Sequence, residues 1–161
     1  MKMQFSLLGS FLFSLSLSGC ATTIGSVEVV KAPALCQPPS QLAGARLIPA
    51  AEAQSLLAAG DNNTLGGPKN TTVLSAGRYL RVDMGMKPTS GYRLVPLDRE
   101  VKVSDGAAQI KLDWIKPAAD SVTAQVITHP CLVLKLPEGD YQRVELLDAT
   151  GDLRHSVSIL D

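Results

Sequence analysis

Aromatic side chains, histidine and cysteine are scarce in this 161-residue chain, and neither sign of charge is in excess. Aromatics make up 4% of the sequence, and there are two His and three Cys, which are not clustered. So few potential ligands leave little material for a metal site, and we expect no metal and no cofactor. Lys+Arg and Asp+Glu number 15 each, so no basic excess points to nucleic acid. The length and the 45% apolar content predict one globular domain with its own core.

The first twenty residues have the features of an export signal. Lys2 precedes an apolar run from Phe5 to Leu17, which is too short to span a bilayer but typical of a signal peptide. The run ends in Leu17-Ser18-Gly19-Cys20, which resembles the lipobox of bacterial lipoproteins. The resemblance implies cleavage before Cys20, acylation of that residue and, with Ala21 following, a lipid-anchored location in the outer membrane. A signal that is not lipidated, with Cys20 present by chance, is the alternative.

Three segments are predicted along the chain. Residues 1–19 form the signal peptide, residues 20–44 the lipidated N-terminus and a proline-containing tether, and residues 45–161 the folded domain. All three Phe lie in the signal peptide. The mature chain therefore keeps only four aromatic residues: Tyr79, Tyr92, Trp114 and Tyr141.

Two cysteines remain once Cys20 is acylated. Cys36 lies in the predicted tether and Cys131 in the body of the chain. In an exported protein an even remainder favours a disulfide, which would join the tether to the domain. Two unpaired thiols are the alternative.

The body of the chain predicts a mainly β fold with one N-terminal helix. Ala- and Leu-rich residues from Pro49 to Gly60 predict the helix, with Gly60 as its C-terminal cap. From Tyr79 onward apolar residues alternate with polar ones, so that Arg81 and Asp83 are expected on a solvated face. Turn residues separate these segments, which favours an antiparallel sandwich or a partly open barrel. The predicted strands lie in 79–84, 101–103, 110–114, 122–126, 132–136, 143–146 and 157–159.

The segment between the first two of these strands is a candidate binding loop. It is bounded by Gly85 and Gly91, and Pro88 fixes one φ angle within it. The hydroxyls of Thr89 and Ser90 can bond to nearby backbone and hold the loop in shape, and a rigid loop loses little entropy on binding. An ordinary turn between strands is the alternative. The residues predicted to bind are Lys87, Pro88, Thr89, Ser90, Gly91 and Tyr92.

The same segment carries a family resemblance. GMKPTSGYRL resembles the G-x-K-P-T-G-G-Y signature of the PrcB C-terminal domain family, named for a subunit of a bacterial cell-surface protease complex. The similarity continues through Pro117 and the stretch from Thr123 to Pro137, so it covers roughly 78–137. Ser90 stands where the family more often has glycine. The resemblance implies an exported or lipid-anchored protein with a binding role and no catalytic one.

A weaker similarity suggests a different function. The loop also resembles the N-P-T-T-G-Y loop of chagasin-type cysteine-protease inhibitors, which sit on an immunoglobulin-like sandwich. Lys87 stands where that family has Asn, and the late R-P-W-like motif is missing. Two alternatives to partner binding therefore stay open: a protease inhibitor, and a structural envelope protein in which the loop only connects strands.

Candidate catalytic residues are few. Ser90 is not in a G-x-S-x-G elbow. His129 precedes a proline at a strand boundary, where it is expected to stabilise a turn, and His155 falls on the apolar side of the last strand. We therefore expect no enzyme. The predicted protein is an outer-membrane lipoprotein that binds an envelope protein or a protease.

Overall fold

Ten β-strands and one α-helix are formed by the described residues. The computed structural model describes residues 21–31, 36, 39–58 and 73–159, so the predicted signal peptide, Cys20 and the helix cap Gly60 lie outside the described residues. The helix α1 spans Ala50–Ala58. The strands are β1 Thr22–Ser26, β2 Glu28–Lys31, β3 Ala43–Ile48, β4 Tyr79–Met84, β5 Arg93–Pro96, β6 Glu100–Ser104, β7 Ala107–Ile115, β8 Cys131–Lys135, β9 Arg143–Leu147 and β10 Leu153–Ser158.

The strands form two sheets, and the prediction of a mainly β sandwich with one helix is confirmed. Sheet I has the order β1-β6-β7-β9-β10, with β5 also paired to β7, and sheet II has the order β2-β8-β4-β3. All pairs are antiparallel except β7 with β9. This parallel pair arises because the chain leaves sheet I after β7, adds β8 to sheet II and then returns. Within the described residues the two sheets do not close into a barrel.

The main core lies between the sheets and is aliphatic. On β4 the inward positions are Leu80, Val82 and Met84, as their alternation predicts. Sheet I contributes the opposing side chains, among them Ile110 and Leu112 of β7. Burial of such side chains contributes about 1.5–3 kcal/mol each. Because the described residues include few aromatics, Val, Leu and Ile supply most of this stabilisation.

The residues predicted as a tether are in large part strands. β1 pairs with β6 at the edge of sheet I, and β2 pairs with β8 at the edge of sheet II. Val27, 2% exposed, lies between them, and its N–H donates to the carbonyl of Arg99. Ile24 and Val29 pack against the core on either side of it. This apolar contact is the reason that residues 22–31 join the domain and connect its two sheets.

The outer face of sheet II is covered, which corrects the expectation that Arg81 and Asp83 are solvated. Arg81 is 1% exposed and Asp83 7%. Their side chains form a close ion pair, with Arg81 Nη2 2.7 Å from Asp83 Oδ1 and Nε 2.9 Å from Oδ2. A second apolar cluster formed by α1, β3 and the cysteines lies over this face. Strand alternation does not reveal this cover, because it comes from residues distant in sequence.

The helix is fixed to sheet II at both ends. Ala53 and Leu56 are its buried residues. Near its start, Glu52 accepts hydrogen bonds from the Arg46 guanidinium of β3, which lower the pKa of Glu52. At its end the Lys31 ammonium donates to the last carbonyls, where a cation is favourable. No helix among the described residues has the length and apolarity that crossing a bilayer requires.

A disulfide joins Cys36 to Cys131, as the cysteine count favoured. The two Cα atoms are 5.9 Å apart and the residues are 95 positions apart in sequence. Both residues are buried, at 2% and 1% exposure. The bond attaches the chain between β2 and β3 to the first residue of β8. By chain entropy, a loop of this size gives about 4–5 kcal/mol of stabilisation.

The strand predicted over 122–126 does not form. Residues 116–130 instead cross from β7 in sheet I to β8 in sheet II as irregular chain, with a turn at Ala119–Asp120 and a bond from the Val126 N–H to the Ala124 carbonyl. Val122 is fully exposed, and Val126 and Ile127 are 49% and 57% exposed. The alternation is present, but the hydrogen bonds from 122–126 to other described segments go to the β4–β5 loop, so the stretch has no regular ladder. A strand requires a partner strand, which the pattern alone does not supply.

Candidate functional site

Two crossover connections lie side by side at one end of the sandwich. The β4–β5 loop, residues 85–92, passes from sheet II to sheet I, and the β7–β8 segment, residues 116–130, passes back. They meet because β4 ends beside the start of β8, and β5 begins beside the end of β7. All six residues predicted to bind therefore lie together at this end.

Backbone hydrogen bonds join the loop to the segment. Lys87 and Thr128 exchange two N–H···O bonds of 2.8 and 2.9 Å. The Ser90 N–H donates to the carbonyl of Ala124 at 3.1 Å, and the Ser90 hydroxyl accepts from the Ala124 N–H. The Thr128 hydroxyl donates to the carbonyl of Thr89. Of the two hydroxyls predicted to hold the loop in shape, that of Ser90 is part of this network, whereas Thr89 takes part through its backbone carbonyl. The loop is held along its length.

Two glycines allow the β4–β5 loop to lie close to neighbouring chain, Gly85 to the residues before β3 and Gly91 to the β7–β8 segment. Gly85 has φ 73°, and a Cβ there would lie 2.8 Å from the backbone nitrogen of Ala43. Gly91 has φ 95°, and a Cβ there would lie 3.1 Å from Pro117. Positive φ disfavours other residues on its own. Sequence reasoning identified both positions correctly as points where the chain needs glycine.

The predicted binding residues differ in how much they present to solvent. Pro88 and Gly91 are exposed, and the other four are partly buried. The Tyr92 ring packs against the core, and the Lys87 ammonium lies 5.7 Å from its centroid. Tyr92 therefore stabilises the position of the Lys87 ammonium through a cation–π contact, and its ring is less available for contact with a partner. The exposed tip of the loop is formed by Pro88 with its neighbour Met86, which is 53% exposed.

Exposed apolar side chains lie both at this tip and along the β7–β8 segment. They are Met86, Val122, Val126 and Ile127, all at least 49% exposed, and we refer to them as the apolar surface. Sequence reasoning missed Val122 and Val126 as surface residues because it placed them in a half-buried strand. Exposed apolar side chains grouped at one end of a domain are typical of interaction sites.

The charge around this surface is mainly positive. Lys87, Arg93 and Lys116 lie on or directly beside the two connections, and Asp120 is the one acid within 85–93 and 116–130. Arg93, Lys116 and Asp120 are exposed. This arrangement is complementary to an apolar partner surface with acidic groups around it.

The residues considered for catalysis have separate structural contacts. The Ser90 hydroxyl is bonded to Ala124, and the His129 Nδ1 lies 3.1 Å from the carbonyl oxygen of Ser40. His155 lies on β10, where burial, and then the charge of Arg154, lower its pKa. The contacts of the described residues bring neither histidine to Ser90.

One group of potential metal ligands comes together among the described residues. A sulfur of Cys36, a sulfur of Cys131 and a carboxylate oxygen of Asp83 lie within 4.8 Å of one another. The two sulfurs are bonded to each other, and the carboxylate is paired with Arg81. These atoms are thus committed to other bonds. A cleft of about 340 Å³ opens beside the Arg81–Asp83 pair, and residues 39–40 and 42–46 form the rest of its lining.

Comparison with known families agrees with the loop's sequence. The PrcB C-terminal family matches residues 78–137, which confirms the resemblance over that part of the chain. The matched region runs from the residue before β4 to the residues after β8 and includes both connections. Comparisons with curated proteins and with solved structures gave no significant match.

Proposed function

We propose that this protein is a lipid-anchored envelope protein whose β domain is a non-catalytic protein-binding module, a subunit of a protease or other envelope complex. The β4–β5 loop is its docking element, with the β7–β8 segment as support. The observation that carries the proposal is the coincidence of three features at one end of the sandwich. The family match, a loop bonded along its length, and an exposed apolar surface all fall there.

The geometry of the loop favours binding over a merely connecting role. Five hydrogen bonds link it to other segments, donated by the backbone N–H groups of Met86, Lys87, Ser90, Ala124 and Thr128, and they hold it in one conformation before any partner arrives. A preformed loop has little conformational entropy left to lose, so more of the contact energy appears as affinity. A connection that only joined two sheets would not need to keep Pro88 and Met86 exposed.

The position of the predicted anchor supports the same proposal. Thr22, which begins β1, lies two residues after Cys20 and pairs with Val103 near the start of β7. The loop lies at the other end of β7, where Arg93 pairs with Ile115. At about 3.3 Å per residue, the nine residues of β7 separate the two ends by roughly 26–30 Å. A lipid on Cys20 would thus hold the domain at the membrane with the loop directed away from it.

Lipidation is tested on the mature N-terminus. The N-terminal peptide of protein from its own envelope is expected to begin at Cys20 and to carry acyl mass, since more than one chain is needed for stable anchoring. Cys20→Ser is expected to lose the acyl mass and to leave the membrane fraction, while Cys36→Ser keeps both. An N-terminal peptide without acyl mass would contradict the anchor and leave the docking proposal to its own test.

Docking is tested by site-specific photo-crosslinking in intact cells. A photoreactive amino acid replaces Pro88 at the loop tip, and in a matched control it replaces Lys111, exposed in the middle of β7. A discrete adduct with one envelope protein is expected from position 88 and not from position 111. The same crosslinked adducts from positions 88 and 111 would contradict a docking role for the loop. Slowed papain-like proteolysis by the purified protein would instead support the inhibitor alternative.

A further inference from the structure

Four of the described residues carry sulfur, and only one of these four lies at the surface. Cys36 and Cys131 are joined in the buried disulfide, and Met84, 4% exposed, belongs to the main core. Met86 is 53% exposed. The other two methionines of the sequence lie in the predicted signal peptide. Within the described part of the chain, Met86 is therefore the one sulfur that a solute reaches while the domain stays folded.

Met86 lies in the exposed tip of the β4–β5 loop, beside Pro88. Its backbone is fixed, because the Met86 N–H donates to the Gln41 carbonyl at 3.2 Å. Its side chain belongs to neither apolar cluster of the domain. A chemical change at the Met86 sulfur therefore alters what the tip presents to a partner and leaves the packing of the core as it is.

The chemistry open to an exposed thioether is oxidation by a peroxide. A lone pair of the sulfur attacks one oxygen of hydrogen peroxide, the S–O bond forms and the O–O bond breaks. The leaving hydroxide takes the proton of the transferred hydroxyl and departs as water, so the sulfur loses the two electrons that the peroxide gains. The product is a sulfoxide, which is polar where the thioether was apolar, and methionine sulfoxide reductases reverse the change.

We propose that Met86 is a site of reversible oxidation by peroxides, and that its sulfoxide weakens docking at the β4–β5 loop. This inference rests on the proposed docking function. A methionine thioether suits a docking surface because it is apolar, flexible and polarisable. In a contact with an apolar partner surface, the sulfoxide oxygen would lose its hydrogen bonds with water and gain none. Oxidation thus removes a favourable contact and adds the cost of burying a polar group.

Met84 is an internal control for Met86. The two methionines are two residues apart in sequence and differ in burial, 4% against 53% exposed. A peroxide reaches Met84 only when the core opens, whereas Met86 needs no opening. Trypsin releases both in one peptide, residues 82–93, because the Lys87–Pro88 bond resists cleavage. Fragmentation of that peptide in the mass spectrometer then shows which of the two sulfurs carries the added oxygen.

Site selectivity is tested on the purified full-length chain treated with hydrogen peroxide. In the folded chain, the sulfoxide is expected to form at Met86 at least about tenfold faster than at Met84. In the chain unfolded by denaturant, the two rates are expected to be similar, because burial is then lost. Equal rates in the folded chain would overturn the assignment of Met86 as the site of oxidation.

The effect on docking is tested with the purified full-length chain that carries the photoreactive residue at position 88. The chain is oxidised, freed of peroxide and added to envelope membranes from cells that lack it, so the partner never meets the oxidant. The yield of crosslinked adduct is expected to fall roughly tenfold, and to return after treatment with reductases for both sulfoxide epimers. Met86→Leu is taken through the same treatment and compared with its own unoxidised sample, from which it is expected not to differ.

The outcomes separate this inference from the docking proposal. An undiminished adduct from a chain with confirmed sulfoxide at Met86 would overturn the inference and leave docking intact. An equal fall in Met86→Leu, or a loss that the reductases do not reverse, would also overturn it, because the loss would then not come from the Met86 sulfur. Absence of an adduct from the unoxidised chain would instead contradict docking itself, and its regulation with it.

Discussion

Gly85 stands at the tightest point of the β4–β5 loop, where the loop passes over the chain before β3. A Cβ there would lie 2.8–2.9 Å from backbone atoms of Gln41, Leu42 and Ala43, and none of these can move as a side-chain end can. The positive φ adds its own cost for any other residue. Gly85 thus fixes how closely the loop lies on the domain, and with it the position of Pro88.

Substitution at this glycine is expected to be strongly destabilising. Gly85→Ala should lower the free energy of unfolding by roughly 2–4 kcal/mol, from backbone strain and overpacking together. Gly151→Ala is the matched control, since Gly151 also has a positive φ, 92°, but has open space around its Cβ position. It should lose only about 1 kcal/mol. Denaturant unfolding measures the free energy of unfolding of both variants. Equal losses in the two would show that the close approach at Gly85 does not affect stability.

Residue-level prediction succeeded where the cause is local and failed where it is not. Gly85, Gly91 and Pro88 were identified from their conformational properties, and the structure places them in one loop. The buried pair of Arg81 and Asp83 was missed, because its burial depends on a helix and a disulfide far along the chain. Removing one member of such a pair leaves a buried charge, which makes the covered face intolerant of single changes.

At the scale of elements, the β9–β10 turn is organised by one carboxylate. Asp148 accepts bonds from the Thr150 hydroxyl and from the backbone N–H groups of Thr150 and Asp152, and it pairs with Arg154. The Thr150 hydroxyl is the largest of the influences that lower the pKa of Asp148 to about 2, from an ordinary 3.8. This turn sets the start of β10, the edge strand of sheet I.

The lowered pKa of Asp148 predicts an acid-dependent contribution to stability. As the pH falls, the unfolded chain binds a proton at this carboxylate before the folded chain does. The contribution of Asp148 to stability is therefore complete above about pH 4 and is lost between pH 4 and about 2. Asp148→Asn should flatten the fall in melting temperature over that interval, whereas Asp120→Asn at an exposed position should not. The melting temperature measured from pH 5 to pH 2 tests this. Identical slopes for Asp148→Asn and the unchanged chain would contradict the assignment.

Strand alternation predicted elements well where each strand has a partner in a sheet. The predicted segments over 79–84, 101–103, 110–114, 132–136 and 143–146 correspond to β4, β6, β7, β8 and β9, and 157–159 overlaps the end of β10. The pattern also predicted a strand over 122–126, which has no partner strand among the described residues. Residues 22–31 were missed although Ile24, Val27 and Val29 carry the signal, because a tether was expected after a lipidated cysteine.

At the scale of the whole molecule, the chain order builds a domain with two different ends. β1 and β2, the first two strands, connect the two sheets at one end of the domain. The β4–β5 loop and the β7–β8 segment that supports it lie at the other end. The disulfide fixes the chain before β3 to β8, close to where the β7–β8 segment ends. The sequence located the loop by its motif, but the pairing of the two connections depends on the sheet order, which no local pattern contains.

The central claim is that the exposed tip of the β4–β5 loop contacts a partner protein. The most direct measurement is the yield of the crosslinked adduct from position 88 relative to position 111 in the same cells. A preformed loop at an interface predicts a single adduct at position 88, with a yield at least about tenfold above that of position 111. Equal yields at the two positions, with both variants folded and correctly located, would contradict the account.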